Sequence, residues 1–338
     1  MNLEFEIGWQ NGIVIRNNKN RLIFDPVSKS SIFKEDLIFI THSHADHMSG
    51  FATSEAKYST EESKNIYEEI RENPVTNFTP VKINQTLNFD DLQVTPLNAG
   101  HMLGSVQYKI ETPNSSILYT GDINYVDTLI TKKADAVECD TLIIEATFGN
   151  PAFIFPKREN IYVEIIKWSL ELLKNDKIPI FHVYAAGKAQ EIIKVFNEFT
   201  NLKILTHPRI SKICKVYSEG GVNLEHSELN YESEIIKERS CVYVTLPSKR
   251  KLNFDNGVKA VTTGWVINDT YRYITGFPLS GHADFKQLIS FIERTGAKKV
   301  FIYTGFKKAF SNYLSKKLGI NAEPIPILPL RSLKEFLF

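Results

Sequence analysis

Cysteine is scarce in this chain. Cys139, Cys214 and Cys241 are scattered along 338 residues, too few and too dispersed for a disulfide framework or a cysteine-type zinc site. They read as buried or idle thiols of a reducing compartment. Long apolar runs are also missing: no stretch approaches the roughly 20 residues that a membrane span requires, although 43% of the chain is apolar. The opening "MNLEFEIGWQ" lacks the basic-then-apolar pattern of a secretory leader, so the expected location is cytoplasmic. Nor is there a surplus of either charge, with 40 Lys and Arg against 39 Asp and Glu. That argues against a general nucleic-acid coat and leaves room for a local basic groove. Such local bias exists in "PSKRK" (247–251), "FKKAF" (306–310) and "SKK" (315–317). The stretch "EESKNIYEEIREN" (61–73) is acidic and helix-like, with Ser59 and Glu62 spaced as a capping box.

The length suggests two domains. Up to about residue 145 the chain reads as short β-runs broken by turns: "GIVIR", "RLIFD", "LIFITH", "LQVTPL", "SVQYKIE", "SILYTGD" and "TLIIEA". From about 160 to 220 strands alternate with helices. "ENIYVEIIKWSLELLKN" and "GKAQEIIKVFNEFT" have apolar residues at helical spacing, and "IPIFHVY" and "KILTH" read as buried strands. Alternation of that kind predicts a parallel sheet covered by helices. A β-rich domain (1–150) interrupted by an α/β unit (151–274) and completed by 275–338 is therefore expected.

The densest chemistry lies in "ITHSHADHMSG" (40–50), where His42, His44, Asp46 and His47 follow an apolar run. Imidazoles so close together repel when protonated and waste packing when neutral. A divalent metal removes the conflict, because neutral imidazole and carboxylate are ordinary zinc ligands. One loop rarely completes a coordination sphere, so further ligands are expected at other strand ends. His101 in "NAGHMLGS", Asp122 in "YTGD" and His282 in "PLSGHADF" occupy such places. His182, His207 and His226 lack partners of this type and read as structural or surface residues.

These segments, together with Asp25 in "IFDP", resemble the metallo-β-lactamase fold, an αββα sandwich whose HxHxDH loop holds one or two zinc ions. The resemblance implies that His42, His44, His101 and Asp122 bind the first metal. Asp46, His47 and a bridging Asp122 would bind the second, with Asp25 orienting a ligand histidine. Glu145 in "LIIEATFGNP", the helix-opening "AAGKAQE" and His282 in "PLSGHADF" resemble the signatures of the β-CASP nucleases, including the compact DNA-ligase-associated exonucleases and archaeal mRNA 3′-end processing factors. The likeness extends over nearly the whole chain. One departure stands out. Thr304, in "VFIYTGF", occupies the place of a histidine that reaches the second metal in RNA-cutting members, so a weakened second site is expected, with manganese as an alternative to zinc.

The implied activity is metal-dependent hydrolysis of phosphodiester bonds in single-stranded DNA or RNA, as an exonuclease in processing or repair. Asp46 would orient the attacking water, and His282 with Glu145 would assist the leaving oxygen. Gly187 and Lys188 open a helix, where the dipole, free N–H groups and an ammonium suit a phosphate. Lys249, Arg250 and Lys251 are further candidates for backbone phosphates. A catalytically silent subunit that binds RNA or a partner would be expected to lose ligands from the HxHxDH loop, which is intact here. A small-ester hydrolase would leave the α/β unit without a task. A processing endonuclease is disfavoured because no additional RNA-binding domain is evident on either side of the core.

Overall fold

In a computed structural model of the chain, which describes residues 5–329 apart from 18, 29–31, 33–35, 230–239, 248–255 and 269, three sheets carry the fold. The first contains β1 (Glu6–Trp9), β2 (Ile13–Arg16), β3 (Arg21–Phe24), β4 (Leu37–Phe39), β5 (Lys57–Ser59) and β6 (Phe78–Pro80), in that order. The second begins with β7 (Leu87–Phe89), β8 (Leu92–Asn98), β9 (Val106–Glu111), β10 (Ser116–Tyr119) and β11 (Thr141–Ile144). The chain then departs to build the third sheet from β12 (Ile178–His182), β13 (Lys203–Thr206), β14 (Ser227–Glu228), β15 (Cys241–Thr245), β16 (Gly257–Thr262) and β17 (Thr275–Phe277). It returns to pair β18 (Lys299–Ile302) parallel with β11, and β19 (Ala322–Pro324) closes that edge.

Strand alternation explains the layering, because successive side chains point to opposite faces. Ile13, Ile15, Leu22, Phe24 and Phe39 of the first sheet meet Val94, Tyr108, Ile110, Ile117 and Tyr119 of the second in one buried cluster. Their neighbours Val14, Ile23 and Ile38 point the other way, onto Phe51 and onto Tyr67 of α1 (Glu61–Arg71). In the second sheet Leu118, Leu142, Ile144, Val300 and Ile302 face outward. They pack on Phe285, Leu288 and Phe291 of α5 (Phe285–Thr295) and on Phe310 and Leu314 of α6 (Lys307–Leu318). The result is helix, sheet, sheet, helix. Strands covered on both faces read as unbroken apolar runs, which is why "GIVIR" and "TLIIEA" lack polar alternation.

Every pairing in the third sheet is parallel, with order β14-β13-β15-β12-β16-β17. It is covered by α2 (Arg158–Lys174), α3 (Lys188–Phe199) and α4 (Pro208–Glu219), whose Ile161, Ile165, Ile192, Ile193, Phe196, Ile210 and Ile213 are buried against it. One expectation from the sequence is corrected. The capping residue of α1 is Thr60, whose hydroxyl accepts from Ser63 N at 3.2 Å, not Ser59 paired with Glu62. Ser59 is held in β5, where its hydroxyl donates to Ile40 O at 2.9 Å.

Candidate metal centre

His42, His44, His101 and Asp122 converge between the two sandwich sheets, each offering a ligand atom within 4.8 Å of the others. His42 and His44 follow the end of β4, His101 lies between β8 and β9, and Asp122 follows β10. Gly121, at φ +53°, makes the turn that delivers Asp122, and a side chain there would collide with Thr41. His42 Nε2 and His101 Nε2 lie 3.6 and 3.7 Å from Asp122 Oδ2.

The outward-facing nitrogens decide whether a metal fits. Thr41 Oγ1 spends its single proton on Asp25 Oδ2 at 2.7 Å, so at 3.0 Å it accepts from His42 Nδ1. His44 Nε2 donates to Ala186 O at 3.3 Å, and His101 Nδ1 to Gly281 O at 2.7 Å. Each imidazole is thereby fixed as the tautomer whose other nitrogen carries a lone pair toward the common centre. His42 Nε2 is buried and, among the described residues, has no hydrogen-bond partner. His44 Nδ1 and His101 Nε2 face each other at 2.9 Å, two lone pairs that need a cation between them. Burial, reinforced by the neighbouring histidines, pushes His42 and His101 well below the usual imidazole range. Burial also lowers His44, against the pull of Asp122. Neutral nitrogen donors with one carboxylate suit a divalent ion.

His47 stands beside this set. Its Nδ1 donates to Asp25 Oδ2 at 2.8 Å, and its Nε2 lies 3.5 Å from Asp122 Oδ1 and 3.6 Å from Asp46 Oδ2. Burial opposes its charged form, but Asp122 and Asp25 overcome that and raise it to about 10. The carboxylates here call for positive charge, from a proton or from a metal. Asp46 projects outward, with a side chain 77% exposed. Asp25 is buried in the left-handed region (φ +46°) and accepts from Thr41 N, Thr41 Oγ1, Tyr119 OH and His47. A plain strand-ending turn would not need four donors.

His282 sits on the far side of Asp122, its Nε2 3.9 Å from Asp122 Oδ2 and its Nδ1 3.0 Å from both oxygens of Glu145. Glu145 is completely buried and also accepts from Ile123 N at 2.8 Å. Among the cleft-lining residues it meets His282 and the backbone N–H of Thr147, which donates to its Oε2 at 3.4 Å. Thr304 lines the cleft just beyond β18, and the adjacent Tyr303 donates to Asp122 Oδ1 at 3.2 Å. Gly305 makes the close approach possible. It has φ +72°, and a Cβ there would lie 2.0 Å from Ala146 O.

The cleft has a volume of about 870 Å³ and is walled on one side by the sandwich and on the other by the third-sheet unit. There "AAGKAQE" interlocks with the histidines. Ala186 O holds His44, Gln190 Nε2 donates to Ala185 O at 2.9 Å, and Gly187 (φ +83°) caps α3. Lys188 lines the cleft and lies 3.5 Å from Glu191, and burial lowers its ammonium to about 8. Glu191 is clasped by Arg158 through bonds of 2.6 and 2.8 Å and by Tyr162 OH at 2.6 Å, and Arg158 also donates to Ser280 O at 2.8 Å. Lys249, Arg250 and Lys251 lie outside the described residues.

Tyr119, Tyr303 and Arg158 were given no role by motif reasoning, since they meet Asp25, Asp122 and Ser280 across 94, 181 and 122 positions. Thr41 and Glu191 lie inside the quoted "ITHSHADHMSG" and "AAGKAQE" segments, but their contacts with Asp25 and Arg158 were not foreseen. The three histidines set aside earlier remain apart from the centre. His207 caps α4 by accepting from Arg209 N, His226 lies 3.1 Å from Ser211 Oγ, and His182 ends β12.

Residues 8–207 match the family described as the beta-lactamase superfamily domain. Over 299 residues the chain is 27% identical to a probable DNA ligase of Opitutus terrae, covering 86% of this chain and 29% of that protein. It is 41% identical over 104 residues to an RNase J-like protein of Methanocaldococcus jannaschii, covering 30% of this chain and 25% of that one. To a probable RNase MJ4 of the same organism it is 27% identical over 306 residues, covering 76% of this chain and 70% of that one. The chain thus spans under a third of the first two relatives. A crystal structure of a protein of unknown function from Enterococcus faecalis V583 shares the fold, with a TM-score of 0.68, 14% identity and coverage of 95% and 97%. With its αββα layers, its converging His and Asp ligands and a match over residues 8–207, the chain belongs to the beta-lactamase superfamily, in the metallo-β-lactamase fold.

Proposed function

We propose that the protein is a β-CASP-type nuclease that hydrolyses phosphodiester bonds in single-stranded DNA or RNA, as an exonuclease. The observation that carries this reading is the joining of two sites in one cleft. The segment whose Ala186 carbonyl orients His44 goes on directly to Gly187, Lys188 and the N-terminus of α3. A phosphate held at Lys188 and the helix start therefore lies beside the metal ligands. The names of the relatives support it, since two are described as RNase-type proteins and one as a DNA ligase.

His42, His44, His101 and Asp122 would hold the first metal, and Asp46 and His47 with Asp122 a second. Zinc suits the nitrogen-rich first set, with manganese as the alternative for the second. Bound there, the metal supplies Lewis acidity toward a phosphoryl oxygen and acidifies the attacking water. Asp46, open to the cleft, orients that water. His282 Nε2 passes a proton to the leaving oxygen, and Glu145 fixes the ring that carries it. Thr304 contributes no imidazole, so the second site is the weaker one. The third-sheet unit, expected over 151–274 and with β17 (Thr275–Phe277) as the outermost strand of its sheet, covers the strand in the cleft. The three buried thiols fit a reducing, cytoplasmic setting, and among the described residues no helix is long and apolar enough to cross a membrane.

Lys188→Ala tests the phosphate half of the reading. Its metal content should match the wild type, while the slope of log affinity against log salt falls by about one. An unchanged slope would return Lys188 to a structural role beside Glu191.

A further inference from the structure

Tyr184 is a large aromatic residue left 69% exposed in the wall of the cleft. Single exposed aromatics are common on protein surfaces and by themselves mean little. This one differs in how its backbone is held and in what lies next to it. Val183, immediately before it, is buried, and its N–H donates to Thr245 O at 2.9 Å. Just after it, Ala185 O accepts from Gln190 and Ala186 O accepts from His44. The chain is thus fixed on both sides of a side chain that packs into neither core. The ring centroid lies 6.3 Å from that of His44, at an interplanar angle of 48°, so the two rings do not stack and the tyrosine face stays open to the cleft.

We infer that Tyr184 forms a base-stacking subsite for an unpaired nucleotide beside the scissile phosphate. The inference rests on the nuclease reading and deepens it. Every base has a π-face, so such a platform tolerates sequence and accepts DNA or RNA alike. A base paired in a duplex already has both faces stacked, so the same ring favours single strands over duplex. Phosphate at Lys188, a base on Tyr184 and ligands at His44 would together set one nucleotide in register with the metal centre.

The test uses metal-loaded protein and single strands whose linkages are blocked against hydrolysis by phosphorothioate. One nucleotide at a time along the strand is replaced by an abasic unit. Tyr184→Ala should bind the complete strand about ten-fold more weakly, with an unchanged salt slope and unchanged metal content, and Tyr184→Phe should retain wild-type affinity. One abasic position should weaken the wild type by the same factor and cost Tyr184→Ala nothing further. The inference is overturned if Tyr184→Ala binds within two-fold of wild type. It is equally overturned if every abasic position costs the variant as much as it costs the wild type. Wild-type protein that binds no strand at all would instead refute the nuclease reading, and the subsite with it.

Discussion

His44→Ala is expected to lose most of its bound transition metal and about 10³-fold or more of its phosphodiesterase activity, since a metal supplies several kcal/mol of transition-state stabilisation and each 1.36 kcal/mol is a factor of ten. The argument is geometric. His44 Nδ1 faces His101 Nε2 at 2.9 Å, and its other nitrogen is committed to Ala186 O. Among the described residues around it, Asp122 and the other histidines already have positions of their own in the cluster, so none is spare to replace it. The loss should appear in elemental analysis as well as in strand cleavage. Full metal content together with lost activity would make His44 something other than a ligand.

The second large effect falls on stability. Arg158→Ala should destabilise the protein by about 3 kcal/mol, the lower end of the cost of breaking a buried ion pair. Glu191 stays buried after the change, and among the described residues only Lys188 at 3.5 Å and Tyr162 at 2.6 Å remain to satisfy its side chain. Burial works against ionisation of Glu191, yet Arg158 and Lys188 outweigh it and hold the carboxyl at about 2. A carboxyl depressed in the folded state stabilises the protein above its unfolded pKa and loses that contribution as pH falls through the folded value. The wild type should therefore lose stability between the ordinary glutamate range and about pH 2, and Arg158→Ala should lose less over that window. Urea unfolding across pH checks both points. Equal midpoints at neutral pH would show that the clasp contributes nothing net.

What the sequence made legible follows from how local each signal is. Three histidines and an aspartate within one short loop pointed to a metal before any geometry was known, and strand-end positions brought His101, Asp122 and His282 into the same set. The αββα layering was legible only as an implication of the family resemblance, because apolar runs buried on both faces show that strands are present and not how their sheets stack. Three-residue strands such as β5, "KYS", carry too little pattern to be found that way. The devices that tune the centre were hidden for a different reason. Tyr303 reaches Asp122 across 181 positions and Arg158 reaches Ser280 across 122, distances over which single residues carry no pattern. Glu145 was named from the sequence together with His282, but its complete burial behind that ring became visible only in the structure.

The central claim is that this cluster, loaded with metal, cuts nucleic acid strands. It is tested most directly by a time course on single-stranded DNA and RNA labelled at the 5′ or the 3′ end, using wild-type protein as purified, after exhaustive chelation, and after zinc or manganese is restored. The account predicts stepwise shortening from one end that stops on chelation and resumes with metal. Cleavage that continues unchanged in chelated, metal-free protein would contradict it, as would intact strands after incubation with fully metal-loaded protein.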